Sequence, residues 1–451
     1  MRHHVRVGLA ATGIVVAATA AAWLLADGYL IGGIIDTADV EDYCGGAAWL
    51  TAEDAPWPRR RSRLAGLLAG LLTPLLGAID ALAVGALLGC GMLVAGLVLW
   101  AGSLGGASAG VAAAVLVAGM APLAVLSRHL TFYPMIAGGL TLCTGLVAWG
   151  AQRSDRWGGA AVGAGIFLAP LWDLRGIVWC LSLAGLAGLL AMRSAGARQR
   201  IVVVVCALGL SWGAGRLAYP ADAVSLEEQA WQAVHLDALA ESQARGHHGI
   251  PAQPTRTIWG WTSLPALPFG LRTVASIADQ APLRSPEFAL SDWQLRTWSV
   301  PLGLAGLLGL IGLRRAPRKL LILAVTSLPF LLAWIDAARF GRAELRQLSL
   351  AAPGVAVVIG VGVSMLGARR FGPWRWLPVG LLAVMLLPGL PLSPGAGWRT
   401  PTPSRQFLLG PLLIMARRSE QPPARLRAAC IDAIGDGQSL LYGDLLRPPT
   451  R

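Results

Sequence analysis

What most constrains this chain is a succession of apolar stretches, most of them about as long as a helix that crosses a bilayer. They fall near residues 8–25, 82–102, 108–127, 131–151, 158–172, 176–192, 201–217, 299–313, 320–335, 349–366 and 375–391. Roughly twenty apolar residues suffice to cross the hydrocarbon core. A backbone in lipid must satisfy its own hydrogen bonds, so such stretches form helices. With 55% hydrophobic and 14% charged residues in 451, the composition excludes an ordinary soluble domain. The expected fold is an all-α polytopic membrane protein with about eleven transmembrane helices. No internal repeat breaks the succession.

Charge sets the orientation. Arg193, Arg198 and Arg200 follow one span; Arg314, Arg315, Arg318 and Lys319 follow another; Arg369, Arg370 and Arg375 follow a third. The positive-inside rule places these loops in the cytoplasm, with the turn from Arg153 to Arg156 and the N-terminus. The stretch 64–81 is also apolar, but Pro74 and Asp80 interrupt it. The parity of the arginine-bearing loops holds only if that stretch does not cross. It is therefore expected to lie in the interface as a juxtamembrane helix, anchored by the arginines of 59–63. The apolar run 8–25, which follows Arg2, His3, His4 and Arg6, is read as an uncleaved first span rather than a signal peptide.

The chain divides accordingly into an N-terminal transmembrane module over 1–217, containing the first outer loop 26–81; a large extracytoplasmic loop over 218–298; C-terminal transmembrane helices over 299–391; and an extracytoplasmic tail over 392–451. A bacterial inner membrane is the expected location, with the C-terminus outside. The formal net charge of +13 fits cytoplasmic loops beside anionic lipid; spread between apolar spans, it forms no basic domain for nucleic acid. In the large loop, Trp231, Trp259 and Trp261 suit an interfacial belt, the commoner use, or a stacking platform for sugars. His247 and His248 are adjacent, point in different directions and make a poor metal pair. Cys44 and Cys430 fall on the same outer side and are open to pairing; the other four cysteines sit in apolar segments as small hydrophobes.

One outer stretch is dense in polar groups. Asp36, Asp39, Glu41 and Asp42 fall within seven residues, followed by Tyr43, by Pro56, Trp57 and Pro58, and by Arg59, Arg60, Arg61 and Arg63. Ionisable groups near a bilayer are costly and mark function by default, although a solvated topology loop has the same composition. Asp39, Glu41 and Asp42 are candidate bases. Arg128, Arg175, Arg339, Arg342 and Arg346 are cations at span ends, able to hold a phosphate in bidentate fashion. A carboxylate that takes the proton of an acceptor hydroxyl, opposite arginines that stabilise a departing phosphate, is a coherent site for glycosyl transfer.

The order of these features resembles the GT-C superfamily of integral-membrane glycosyltransferases, which includes protein O-mannosyltransferases and lipid A aminoarabinose transferases. The resemblance lies in the first outer loop, with Asp39, Glu41, Asp42 and Tyr43, then Pro58 and Arg61 to Leu64 before a juxtamembrane helix. It continues in the outer turn at Ser127, Arg128 and His129, in the glycine-bearing segment from Asp155 through Gly163 and Gly165 to Leu171, and in the approach from Arg346 to Pro353. It covers 1–215 and, more loosely, 299–391. Two departures stand out: Val40 splits the acidic pair, which leaves the functional carboxylate open between Asp39 and Asp42, and Arg175 occupies roughly the place of a lysine.

The resemblance implies an inverting transferase that moves a sugar from a polyprenyl-phosphate carrier to a glycan, lipid or protein acceptor at the outer face. Asp39 is the implied base, with Glu41 and Asp42 beside it. Tyr43, Arg128, His129, Arg175 and Arg346 bind the substrate. No cofactor is required, and the Asp39–Asp42 pair is compatible with a divalent cation. Two other classes share the composition: a transporter or flippase of a lipid-linked substrate, marked by midplane ionisable groups such as Asp80, Asp173 and Arg175, and a non-catalytic scaffold of a cell-envelope complex.

Overall fold

The computed structural model describes residues 63–76, 78–118, 132–173, 176–191, 197–218, 292–339, 345–367, 374 and 376–386. They form α1 (Arg63–Leu76), α2 (Ala78–Gly105), α3 (Ala107–Ala118), α4 (Tyr133–Gly150), α5 (Arg156–Trp172), α6 (Gly176–Ala191), α7 (Ala197–Ala218), α8 (Asp292–Leu313), α9 (Pro317–Arg339), α10 (Leu345–Gly367) and α11 (Leu377–Leu386). Among the described residues there is no strand, as the apolar succession predicts.

The outward faces are apolar. Leu88, Leu181, Val205, Leu307, Ile311 and Leu381 all face away from the bundle, while alanines, glycines and threonines fill its interior. Such a surface is one that hydrocarbon solvates, so the described helices form a membrane-embedded bundle. One described stretch, Val84–Gly105, is long and apolar enough to cross a bilayer by itself, at 22 residues with a mean hydropathy of 2.2; the other apolar stretches run 10–17 residues.

Three hairpin turns meet at one end. Gly106, at φ +86°, a conformation that favours glycine, turns α2 into α3. Arg318 donates to the carbonyl of Ala151 at the end of α4 (2.8 Å), and Lys319 Nζ donates to the carbonyl of Leu104 at the end of α2 (2.7 Å). Helix C-termini present unpaired carbonyls and a partial negative charge, which a cation satisfies on both counts. The arginine-bearing turns that the sequence assigns to the cytoplasm therefore do cluster; this is called the inner end below.

Glycines set which helices touch. α2 and α4 run parallel, with Gly89 against Gly138 and Gly96 against Gly145; a Cβ at any of these four positions would fall inside contact distance of the other helix's backbone. Seven residues separate the glycines on each helix, so both contacts lie on one face. α8 and α10 form a second parallel pair at Gly309 and Gly362. Close backbone approach through small residues is how helices gain contact in lipid, where the hydrophobic effect gives no drive to associate. At the centre, Phe330 of α9 meets Trp100 of α2 in a tilted contact and Trp179 of α6 edge-to-face, at ring-centroid distances of 5.1 and 5.2 Å.

Helix limits differ from the apolar stretches in an informative way. α8 starts at Asp292, α9 continues to Arg339 and α10 starts at Leu345, so the polar residues flanking those spans continue the helix. The stretch 64–81 splits: α1 ends at Leu76, and Asp80 belongs to the first turn of α2. At 14 residues, α1 is roughly 21 Å long, short of the roughly 30 Å of hydrocarbon. It buries Ala65, Ala69 and Thr73 along one stripe and exposes Leu71 and Leu75.

Candidate functional site: a recess at the outer end

The helices are level at the inner end and unequal at the other. Trp172, the last residue of α5, packs over Gly139 of α4, and the neighbouring Gly138 touches Gly89 of α2. Residues 78–88 of α2 therefore extend beyond the end of α5, a reach of roughly 16 Å at 1.5 Å per residue. The hairpin of α5 and α6 is tight: Gly176 N–H donates to the carbonyl of Asp173 (2.8 Å), and a Cβ at Gly176 would collide with the backbone of Ala169. Helices of 17 and 16 residues give it no reach to the level of the α2 start. α1 packs against both α2 and α5. Among the described residues the outcome is a step at the outer end, with the α5–α6 tip as floor and the first turns of α2 as wall.

Asp173 lies on that floor. It ends α5 in extended conformation (φ −159°, ψ 153°) and is only 4% exposed. The sequence places it in an outer turn; the structure places that turn well below the outer end of α2. A buried carboxyl group at the end of a membrane helix is a candidate for a functional site. Tyr133, which opens α4, is buried as well.

Asp39, Glu41, Asp42, Tyr43, Arg128, His129 and Arg175 lie outside the described residues. Arg175 directly precedes α6, so it belongs to the connection that follows Asp173. Arg346 falls in the first turn of α10, and Arg339 ends α9. The helices thus bring the backbones of both arginines to the outer end, on the side away from the Lys319 and Arg318 contacts.

Elsewhere the described residues offer little chemistry. No group of three His, Cys, Asp or Glu that could hold a metal occurs among them. A crevice among Gly150, Gly158, Ala187 and Val203 is lined by small and apolar side chains and sits at the inner end. Thr141, Thr144 and Thr326 donate to carbonyls one turn earlier in their own helices and are thereby satisfied.

No protein-family model matches the sequence, and no curated protein matches it. Solved structures are similar in fold. ArnT from Cupriavidus metallidurans, in its structure bound to undecaprenyl phosphate, is similar at a TM-score of 0.47 and 15% identity, over 96% of this chain and 77% of ArnT. Its apo structure is similar at a TM-score of 0.45 and 16% identity, over 97% of this chain and 77% of that one. An oligosaccharyltransferase from Archaeoglobus fulgidus, in complex with Zn and sulfate, is similar at 0.47 and 13% identity, over 93% of this chain and 54% of that one. None of them fixes a residue or a substrate of this chain.

Proposed function

We propose that this chain is a glycosyltransferase that moves a sugar from a polyprenyl-phosphate carrier to an acceptor at the outer face of a bacterial inner membrane. The observation that carries the reading is the recessed outer end, with Asp173 buried on its floor and Arg339 and Arg346 on helices that reach the same end. α1, which follows the first outer loop and its acidic cluster in sequence, packs on α2 and α5.

In this reading the Asp39 carboxylate takes the proton of the acceptor hydroxyl as the oxygen attacks the anomeric carbon. The bond from that carbon to the phosphate oxygen breaks, configuration inverts, and the carrier phosphate leaves with the bonding pair. Glu41 and Asp42 orient the base. Arg128, Arg175 and Arg346 neutralise the leaving phosphate, a bidentate task to which the guanidinium is suited. Tyr43 and His129 contact the substrate, while the apolar carrier lies in lipid beside the bundle. Low dielectric strengthens each of these charge contacts. The reaction balances without a metal; a divalent cation on Asp39 and Asp42 would serve the same phosphate.

A buried Asp173 also suits a transporter of lipid-linked substrates. One assay separates the two. The purified protein in lipid is offered a panel of polyprenyl-phosphate sugars, and loss of sugar from the carrier is followed with wild type and Asp39→Asn. Turnover that disappears in Asp39→Asn supports the transferase. Turnover that survives removes Asp39 as base, and donor binding without turnover under any acceptor leaves the transporter ahead.

A further inference from the structure

We propose that the inner end carries a binding site for the headgroup of an anionic diacyl phospholipid, held between the α4–α5 turn and the α8–α9 turn. Arg318 donates to Ala151 O, which brings the start of α9 beside the end of α4. Shortly after Ala151 in sequence come Arg156 and Trp157, both exposed, with the guanidinium 5.4 Å from the indole centre. Shortly before Arg318 come Arg314 and Arg315, which are also exposed. The N-terminus of α9 emerges here and adds partial positive charge, whereas that of α5 is capped by the Asp155 carboxylate.

Negative charge at this end is already engaged. Among its described residues Asp155 is the one carboxylate, and Arg153 holds it through Nε and a second guanidinium nitrogen. Arg153 itself lies over the ring of Trp149 at 4.5 Å. Arg156, Arg314 and Arg315 are therefore left to face an external anion.

Depth favours a lipid as the source of that anion. Trp157 is 62% exposed and Trp374, which follows α10 at the same end, is 65% exposed. Exposed indoles at a helix terminus sit at headgroup level. The outward faces of α8, at Leu308 and Ile311, are apolar and continue from the arginines toward the membrane interior, where acyl chains lie. A phosphodiester on the guanidiniums with acyl chains along α8 uses both features; a free phosphate uses only the first.

The test uses the full chain in neutral detergent. Thermal unfolding is measured with added phosphatidylglycerol, with phosphatidylcholine of the same chains, and with inorganic phosphate, for wild type and for the Arg156→Gln/Arg315→Gln double variant. Both are exposed, and among the described residues neither is hydrogen-bonded or ion-paired, so the variant should fold. Phosphatidylglycerol should raise Tm well above the other two additions in wild type, with apparent affinity at least about tenfold weaker in the variant. Equal effects of the two lipids, full retention of selectivity in the variant, or an equal shift from inorganic phosphate would each overturn the proposal.

Discussion

Lys319 Nζ donates a 2.7 Å hydrogen bond to the carbonyl of Leu104, joining helices 215 residues apart in the sequence. It is the chain's only lysine among 37 basic residues. A compact ammonium on a flexible stem can reach one recessed carbonyl, whereas the planar guanidinium suits forked acceptors. The contact caps α2, and Arg318 caps α4 in the same way, so one turn closes two helices.

Lys319→Met should therefore leave the α2 terminus unpaired and lower stability by about 2 kcal/mol, with Lys319→Arg falling in between. Denaturation in detergent, monitored by far-UV circular dichroism, measures the loss. Unchanged stability in Lys319→Met would mean that water caps Leu104 equally well.

The α2–α4 seam should tolerate no added carbon. Gly138→Ala places its Cβ against the backbone of Gly89, which cannot move without carrying α2 with it. A cost of at least 1–3 kcal/mol is expected, by the scale of overpacked cores. Gly102→Ala is the control, since nothing lies within 4 Å of its Cβ position. It should be neutral or stabilise by roughly 0.5–1 kcal/mol through backbone entropy. Comparing folded yield and Tm of the two variants tests the parallel register directly.

The aromatic centre makes a different prediction. Trp100 and Trp179 are buried, and the Nε1 groups of both lack a partner among the described residues. An unpaired buried donor costs about 1–3 kcal/mol. Trp179→Phe keeps a ring against Phe330 and removes the donor, so it should be close to neutral. Trp179→Ala should cost about 3–5 kcal/mol by opening a cavity. A large loss in Trp179→Phe, seen as a lowered Tm, would show that the indole N–H is satisfied after all.

That the turns at 153–156 and 314–319 share one end of the bundle was legible in the sequence, because both carry arginines and the same rule assigns them to one side. Helix limits were less legible. Asp292, Arg339 and Arg346 interrupt hydropathy without interrupting hydrogen bonding, so the helices run past the hydrocarbon. The seam was hidden for another reason. Among 56 glycines, the pairing of Gly89 with Gly138 depends on α3 leaving two parallel neighbours side by side, which no local pattern encodes. Asp173 could be identified as an intramembrane candidate, but its depth follows only from the chain of contacts through Trp172, Gly139 and Gly89. The carboxylates at 39, 41 and 42 lie outside the described residues, so the catalytic assignment still rests on the sequence.

Asp155 offers a pH-dependent prediction with a definite sign. Its carboxylate is held by the Arg153 guanidinium and then by Gly158 N–H, which lower its pKa from 3.8 to about 2. A depressed carboxylate stabilises the fold above its unfolded value, and that contribution disappears as pH falls from about 4 toward about 2. Asp155→Asn keeps an oxygen for Gly158 N–H but loses the ion pair, so the acid limb of a Tm-against-pH curve should flatten between those values. Asp155→Ala also loses the helix cap and should lie lower at every pH. The pair is exposed, so the difference should be small and should shrink in 1 M salt, where the screening length is only about 3 Å. A salt-insensitive acid limb, identical in wild type and Asp155→Asn, would assign acid sensitivity to other carboxylates.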